Sequence, residues 1–210
     1  FLKNSHIIIW TTTPWTIPVN RALAYGNKIK YSVLKIGKDT KHFKNKNIVV
    51  ASELISTVSK ECNFNDFKIL KEFNGSDFKN TICSHPFKNM GYEFNVPMLE
   101  GDFVTLEQGT GIVHSAPSHG PDDFNLCLKN GIKASNTIND GGLYSEDIPF
   151  FAGMHIFKAD KQVIEKLSEH KSLLGNDTLQ HSFPHSWRSK APLVYRATSQ
   201  WFISMEKKNL

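Results

Sequence analysis

The stretch 109–124 reads GTGIVHSAPSHGPDDF and carries the chain from a strand into a helix. We predict a strand from Gly111 to Ser115 and a glycine-rich bend after it. A helix is predicted to begin at Pro121, because proline suits the first helical position. His114 then lies in the strand, and Asp123, nine residues later, lies in the first turn of the helix.

A second stretch, 10–16, reads WTTTPWT and places three hydroxyls in a row. Apolar and β-branched residues predict a buried strand from His6 to Thr13, which Pro14 and Pro18 end. Threonine is a good strand former, so a purely structural explanation is open for all three. At the end of a strand, however, hydroxyls and freed backbone groups can converge on one polar ligand.

The rest of the pattern contains many short strands and few, separated helices. Further strands are predicted at 31–36, 47–51, 64–73, 96–99 and 103–106, and helices at 53–62 (with Ser52 as N-cap), 122–130 and 157–170. This alternation favours a β-rich α+β fold and not a parallel, doubly wound sheet.

Composition limits the class of protein. The 210 residues, 40% of them hydrophobic, suffice for one large domain with a core. No apolar run approaches the roughly 20 residues that a membrane span needs. The three cysteines show no CxxC spacing, which indicates neither a disulfide framework nor a zinc site and favours reduced thiols in the cytoplasm.

The net charge of +5 permits a nucleic-acid partner without requiring one. Seven lysines gather in one region: Lys28, Lys30, Lys35, Lys38, Lys41, Lys44 and Lys46. A solvated loop surface and direct contact with phosphates are both open for them.

The two motifs together resemble the signature stretches of the editing (CP1) domain inserted in isoleucyl-tRNA synthetase, a class I aminoacyl-tRNA synthetase. The segment 184–202 resembles the return of that chain into its synthetic domain. The related valyl and leucyl editing domains resemble TTRP at the first motif, whereas this chain has TTTP, so the isoleucyl member fits best. Ser186 and Ser189 stand where some relatives carry cysteines.

The resemblance implies a closed β-barrel core with peripheral helices, as in valyl, isoleucyl and leucyl editing domains. It divides the chain into an editing domain over 1–180 and a connector over 181–210 that returns to the synthetic domain. It also implies a cytoplasmic monomer that works with the rest of its parent synthetase, without a cofactor, a metal or a membrane.

The implied function is hydrolysis of the ester of misacylated Val-tRNA(Ile), whose 3′ end would be the partner of the site. In this resemblance Asp123 binds the α-ammonium group, and His114 narrows the pocket to exclude isoleucine. The implied catalytic residues are Asp123, Thr12 and Thr13, and the implied substrate-binding residues are Thr11, Trp15, His114 and Gly120.

Each of these residues also has a plainer explanation. A carboxylate such as Asp123 in a first helical turn is stabilised by the helix dipole, although Asp122 alone could serve there. A single histidine in an apolar strand, such as His114, is usually a core residue with a hydrogen-bond partner. Trp15 could pack in the core or stack on a base.

Two other functions are open from the sequence. The chain could bind the tRNA 3′ end without chemistry, or it could be a generic esterase. No Ser-His-Asp or Cys-His set has a recognisable spacing, so an editing mechanism would depend on a positioned water. The aminoacyl ester is already activated, and a ribose hydroxyl of the substrate could assist the proton transfer.

Overall fold

A computed structural model describes residues 2–38, 40, 42–180, 182–201 and 203–205. Eight strands form two four-stranded sheets. The strands are β1 (Ser5–Ile7), β2 (Ala22–Tyr25), β3 (Lys30–Ile36), β4 (Asn47–Ala51), β5 (Phe67–Asn74), β6 (Ile82–Ser84), β7 (Asn95–Glu100) and β8 (Ile112–Ser115).

The first sheet has the order β1-β4-β3-β5 and carries most of the main core. β1 runs parallel to β4, whereas β3 pairs antiparallel with both β4 and β5. Both faces of β3 and β4 are buried, because Val33, Leu34 and Val49 are all shielded from solvent. Burial on both faces explains why β4 is apolar from Ile48 to Ala51.

The second sheet has the order β6-β7-β2-β8 and carries the strand that holds His114. β2 lies between β7, which is parallel to it, and β8, which is antiparallel. The register places His114 of β8 directly opposite Leu23 of β2. Pairing with β2 therefore fixes the position of His114 along the second sheet.

The two sheets are joined beside the start of β8. The backbone N–H of Ala51, at the end of β4, donates to the carbonyl oxygen of Thr110 at 2.8 Å. The Thr110 hydroxyl donates to the carbonyl oxygen of Ile8 at 2.7 Å. The α+β, β-rich fold class is confirmed, but the described strands form two separate sheets, so the closed barrel is not confirmed.

Three α-helices lie around the sheets: α1 (Ile55–Glu61), α2 (Pro121–Lys129) and α3 (Ala159–Glu169). All three predicted helices are therefore present, although the first and last begin with a short 3-10 turn. The prediction that Ser52 is the N-cap of the first helix is wrong. Its hydroxyl lies 2.7 Å from that of Ser32 on β3, and Ala51 occupies the cap position.

The predicted strand from His6 to Thr13 is too long. Beyond β1, the Ile8 carbonyl accepts a hydrogen bond from the Thr110 hydroxyl. Thr11 Oγ1 accepts the N–H of Thr13 at 3.0 Å. Such local side-chain bonds compete with a strand ladder and end it. A 3-10 helix, Pro14–Val19, follows at once.

One further strand prediction is wrong, and two strands of the structure have no predicted counterpart. The segment 103–106 contains no strand, and at its start the N–H of Val104 closes a turn by donating to the carbonyl of Gly101. β2, by contrast, was not predicted, because its four residues are all buried and small or mixed in size, so they show no alternation. β6 was also missed, since it has only three residues.

No helix or strand follows α3 in the part of the chain that the structure describes, apart from an isolated bridge between His185 and Pro192. The division at residue 180 stays a prediction. None of the described helices is long and apolar enough to cross a bilayer.

Candidate functional site

His114 is held between two polar side chains from the first motif and the residues after it. Its Nε2 lies 3.0 Å from Thr16 Oγ1, and its Nδ1 lies 3.2 Å from Asn20 Nδ2. The side chain is buried, with 9% of its surface exposed. The strand and the 3-10 helix therefore meet at this imidazole.

The hydrogen-bond network fixes the tautomer of His114. The Thr16 hydroxyl donates to the carbonyl oxygen of Thr13 at 2.9 Å, so it must accept from His114 Nε2–H. The Asn20 amide donates one hydrogen to the carbonyl of Ala22 and has its second hydrogen free for Nδ1. The imidazole is thus neutral, with its proton on Nε2 and both nitrogens bonded.

Burial keeps His114 neutral in water at ordinary pH. Burial first, and then the charges of the nearby His85 and His119, together lower the pKa of His114 to about 4. With both nitrogens engaged, the ring has no free lone pair to take a proton from water. The geometry does not suit a general base.

Two of the three threonines, Thr11 and Thr13, are joined just before the 3-10 helix. Thr11 Oγ1 lies 3.3 Å from Thr13 Oγ1, and both side chains are partly buried. Thr12 is exposed, and no hydrogen bond ties its side chain to the other predicted site residues among those described. The carbonyl of Thr13 accepts from both the N–H and the hydroxyl of Thr16.

Asp123 lies in the first turn of α2 and reaches back to the end of β8. Its Oδ2 accepts the backbone N–H of Ala116 at 3.3 Å. Burial raises the pKa of Asp123 to about 6; the Ala116 N–H and the Ser115 hydroxyl oppose this rise, and the charge of Asp122 adds to it. Ser115 Oγ is buried and has no partner at hydrogen-bonding geometry among the described residues.

Two neighbours of Asp123 explain why it is the carboxylate turned toward the strand. Asp122 precedes it in the same helical turn but is exposed, as expected for a residue that only favours the helix start. Gly120 is the N-cap, and a Cβ there would lie 3.0 Å from Asp123 Oδ2. A side chain at position 120 would therefore crowd the carboxylate.

Trp15 is placed differently from the expectation of a base-stacking residue. Its side chain is 5% exposed, and its ring meets that of His119 edge-on with centroids 4.8 Å apart. Little of the indole is left for stacking, so its contact with substrate stays a prediction. Trp10, which is 37% exposed, is the more accessible indole.

His119 connects the second motif to the C-terminal segment. Its Nδ1–H donates to the carbonyl of Tyr195 at 2.9 Å, and its Nε2 accepts from Thr137 Oγ1 at 2.7 Å. The N–H of Ala197 donates to the carbonyl of Ser118 at 2.9 Å. Burial lowers the pKa of His119. The predicted connector thus lies directly on the motif.

Sequence reasoning missed the residues that hold the site in place. Thr16 and Asn20 contact His114, and Tyr144 and Asp160 bind the backbone of Trp15. The only sequence signal for the first pair is that both residues are polar in a mostly apolar stretch, TIPVNRALA. Nothing in the local pattern predicts the second pair, which lies more than 120 residues away.

A cleft of about 410 Å³ lies next to this region, between the loop 136–145 and the segment 196–199. Two residues of the cleft lining form an ion pair, in which the Arg196 guanidinium binds Asp140 Oδ1 at 2.7 Å. None of the predicted site residues lines it. Among the described residues, no three His, Cys, Asp or Glu side chains are grouped so that they could hold a metal ion.

Comparison with known proteins identifies the kind of chain this is. It is 61% identical to the isoleucine–tRNA ligase of Pelagibacter ubique over all of its own length, and 44% identical over 98% of its length to that of Gluconobacter oxydans. The chain is homologous to a segment of isoleucyl-tRNA synthetases. It spans 23% of the length of each of these relatives. No protein-family model matches it.

Solved structures indicate which segment of the synthetase this is. The fold is similar to the crystal structure of GlLeuRS-CP1, with a TM-score of 0.64 and 16% identity, over 84% of this chain and 87% of that one. The P. falciparum cytosolic leucyl-tRNA synthetase editing domain gives a TM-score of 0.56 at 14% identity, over 82% and 80%. The predicted relationship to isoleucyl-tRNA synthetase is confirmed, and the fold is similar to that of CP1 editing domains.

Proposed function

We propose that this CP1 segment hydrolyses the ester bond of a wrongly charged tRNA, with Val-tRNA(Ile) as its main substrate. One observation carries the proposal: Thr13, His114 and Asp123, from two distant stretches, belong to one connected unit. Thr13 bonds Thr16, which bonds His114, and Asp123 bonds Ala116 two residues after His114.

The electrostatics of Asp123 suit recognition of an aminoacyl ester. With a pKa raised to about 6, the carboxyl is still ionised at neutral pH. It is partly buried, so an α-ammonium group bound there would gain a strong, charge-assisted hydrogen bond. A simple ester without an amino group would lack this contact.

His114 serves in this proposal as a wall against the longer side chain of isoleucine. A methylene in an apolar pocket is worth only about 1–3 kcal/mol, and isoleucine against valine is the standard example of this limit. A second pocket that rejects by size multiplies the selectivity of the first. The fixed orientation of the His114 ring supports such a role, because a mobile ring would exclude nothing.

Hydrolysis then needs little acid–base chemistry from the protein. The threonine group, Thr11 to Thr13, would hold the terminal adenosine and orient a water beside the activated carbonyl. Gly120 leaves room for the carboxylate and the substrate. A ribose hydroxyl of the substrate would assist the proton transfer, in keeping with the engaged nitrogens of His114.

The partners in this proposal are the 3′ end of tRNA(Ile) and the rest of the parent synthetase, in the cytoplasm and as a monomer. The exposed aromatics of the C-terminal segment support contact with the parent body. Trp187 and Trp201 are 78% and 100% exposed. These indoles would be covered by the synthetic domain to which the connector returns.

The test is deacylation of Val-tRNA(Ile) beside Ile-tRNA(Ile) at high protein concentration. Wild type should release valine selectively, and Asp123→Ala should lose this activity. Asp122→Ala is the matched control, since it removes an exposed carboxylate from the same helical turn, and it should keep the activity.

Other outcomes would contradict the proposal in distinct ways. Binding of the tRNA 3′ end without release would indicate a non-catalytic module. Equal cleavage of a simple ester that lacks an α-amino group would indicate a generic esterase. Unchanged turnover in Asp123→Ala would remove this carboxylate from the mechanism.

A further inference from the structure

The 3-10 helix Pro14–Val19 is capped by a residue from a distant part of the chain. The first N–H groups of any helix lack partners within the helix. Pro14 has no N–H, and the N–H of Trp15 donates to Asp160 Oδ1 at 2.8 Å, across 145 positions of sequence. The Tyr144 hydroxyl donates to the Trp15 carbonyl, so both sides of this residue are held.

Because Asp160 accepts the N–H of Trp15, the Thr13 hydroxyl does not serve as the cap. Thr13 occupies the N-cap position, where a threonine hydroxyl normally accepts an N–H from the second or third helical residue. Here the Thr13 side chain makes no cap hydrogen bond. Asp160 takes the N–H of Trp15, and the Thr13 carbonyl takes the N–H of Thr16. The Thr13 hydroxyl therefore lies beside Thr11 Oγ1, at 3.3 Å.

We propose that Asp160 is a positioning residue, which caps the 3-10 helix from α3 and thereby leaves the Thr13 hydroxyl paired with Thr11 Oγ1, where it can contact the substrate. The role in turnover rests on the proposed editing function. Asp160 itself touches no reacting atom in this proposal. It acts through Trp15 and Thr13.

The placement of Asp160 suits this task because its helix is firmly anchored. Ala159 and Val163, on the same helix, are fully buried in the second core cluster. That cluster also contains Trp15 and Tyr144. The carboxylate thus projects from a rigid element onto the start of the 3-10 helix.

Loss of the cap should change the position of the Thr13 hydroxyl in the site. With Asp160 removed, the N–H of Trp15 would lose its partner, and Thr13 is the N-cap residue, whose hydroxyl normally accepts such an N–H. Rotation of Thr13 toward that N–H would withdraw its hydroxyl from the Thr11–Thr13 group. A misplacement of about 1 Å at a distance from the chemistry can cost on the order of a hundredfold in rate.

The experiment compares four versions of the 210-residue chain in deacylation of Val-tRNA(Ile). Asp160→Ala should lower kcat by about tenfold to a hundredfold and change KM less. Asp160→Asn keeps an oxygen acceptor for the Trp15 N–H and should restore most of kcat. Val163→Ala is the control, because it loosens the same helix without touching the cap; measured well below its unfolding temperature, it should keep kcat.

A second readout does not depend on activity. The rotamer of Thr13, taken from side-chain three-bond couplings in NMR, should change in Asp160→Ala and stay as in wild type in Asp160→Asn and Val163→Ala. If wild type releases no valine, the proposed function fails, whereas the Thr13 rotamer still tests the cap.

Three results would overturn the inference. The first is an unchanged Thr13 rotamer in Asp160→Ala. The second is a loss of kcat in Val163→Ala as large as in Asp160→Ala, which would indicate a general structural effect. The third is an Asp160→Asn variant that is no better than Asp160→Ala.

Discussion

Thr16 Oγ1 lies 3.0 Å from His114 Nε2, and this contact joins two parts of the chain that are 98 positions apart. Thr16 ends the motif with the three threonines, and His114 lies in the middle of the other motif. Because the hydroxyl of Thr16 also donates to Thr13, it relays the position of one motif to the other. Neither motif alone could orient the imidazole.

Replacing Thr16 with valine should destabilise the protein although the two side chains have the same shape. The buried Nε2–H of His114 would lose its acceptor, which costs about 1–3 kcal/mol. We expect the free energy of unfolding, from urea denaturation, to fall by this amount. Thr16→Ser keeps the hydroxyl and should stay closer to wild type. Equal stability of the valine and serine variants would show that this hydrogen bond contributes nothing.

Replacing His114 with alanine should reduce the discrimination between valine and isoleucine. If the ring forms the wall of the pocket, its removal would admit the additional methylene of isoleucine. The ratio of the deacylation rates of Val-tRNA(Ile) and Ile-tRNA(Ile) should fall by about tenfold or more. His85→Asn, which removes another buried histidine, is the control and should preserve the ratio. An unchanged ratio in His114→Ala would remove this residue from size exclusion.

The strands that flank the core could be predicted because their sequence pattern is local. β3 shows partial alternation of apolar and polar residues, β4 is a run of apolar residues after Asn47, and α2 has proline at its first position. The end of β1 could not be predicted, since it depends on Thr110, about a hundred residues away, which takes the Ile8 carbonyl. A strand end that depends on a residue far away in the sequence cannot be predicted from the neighbouring residues.

The candidate site shows the same division. Asp123 could be placed in the first turn of a helix from Pro121 alone, and the structure places it there. The burial of Trp15 could not be foreseen, because Asp160 and Tyr144, from the far end of the chain, hold its backbone in the second core cluster. The sequence motif identifies which residues matter more readily than which of them face solvent.

The protein should lose stability as the pH falls from 7 to 5. Burial lowers the pKa of His85 and of His114 to about 4, so below pH 6.5 the unfolded chain binds protons that the folded chain does not. Their contribution is fully present above pH 6.5 and is lost on acidification toward pH 4. We expect a loss on the order of 2 kcal/mol, measured by urea denaturation at each pH.

The buried carboxyl groups change the free energy of unfolding in the opposite direction between pH 7 and 5. Asp123 and Asp160 have raised pKa values, so the folded protein takes up their protons first. The histidines outweigh them, because His6 and His119 are shifted in the same direction as the two deeper histidines. His85→Asn should therefore show a shallower dependence on pH. A wild-type stability that rises between pH 7 and 5 would contradict this balance.

The editing rate should fall at a pH that reports the ionisation of Asp123. Only the carboxylate can bind the α-ammonium group, and the pKa of Asp123 is raised to about 6. We expect kcat/KM for Val-tRNA(Ile) to decrease below about pH 6, while the far-ultraviolet circular dichroism still reports folded protein. A profile that is flat from pH 7.5 down to pH 5.5 would show that the ionised form is not required.

Replacing Asp123 with asparagine should abolish editing and yet stabilise the fold at pH 7. The raised pKa means that the folded protein disfavours the ionised carboxyl, whereas the amide is neutral and keeps an oxygen acceptor for the N–H of Ala116. The gain should be about 1–2 kcal/mol, allowing for the partial exposure of this side chain.

The dependence of this gain on pH separates it from a simple packing effect. The cost of the charge is fully present above pH 6 and disappears as the folded carboxyl takes its proton, so the difference in Tm between Asp123→Asn and wild type should shrink from pH 6 to pH 4. Asp122→Asn, in the same turn, should give no gain, since an exposed carboxylate there favours the helix start. A lower Tm for Asp123→Asn than for wild type at pH 7 would mean that the carboxylate stabilises the fold, and its assignment to substrate binding would lose this support.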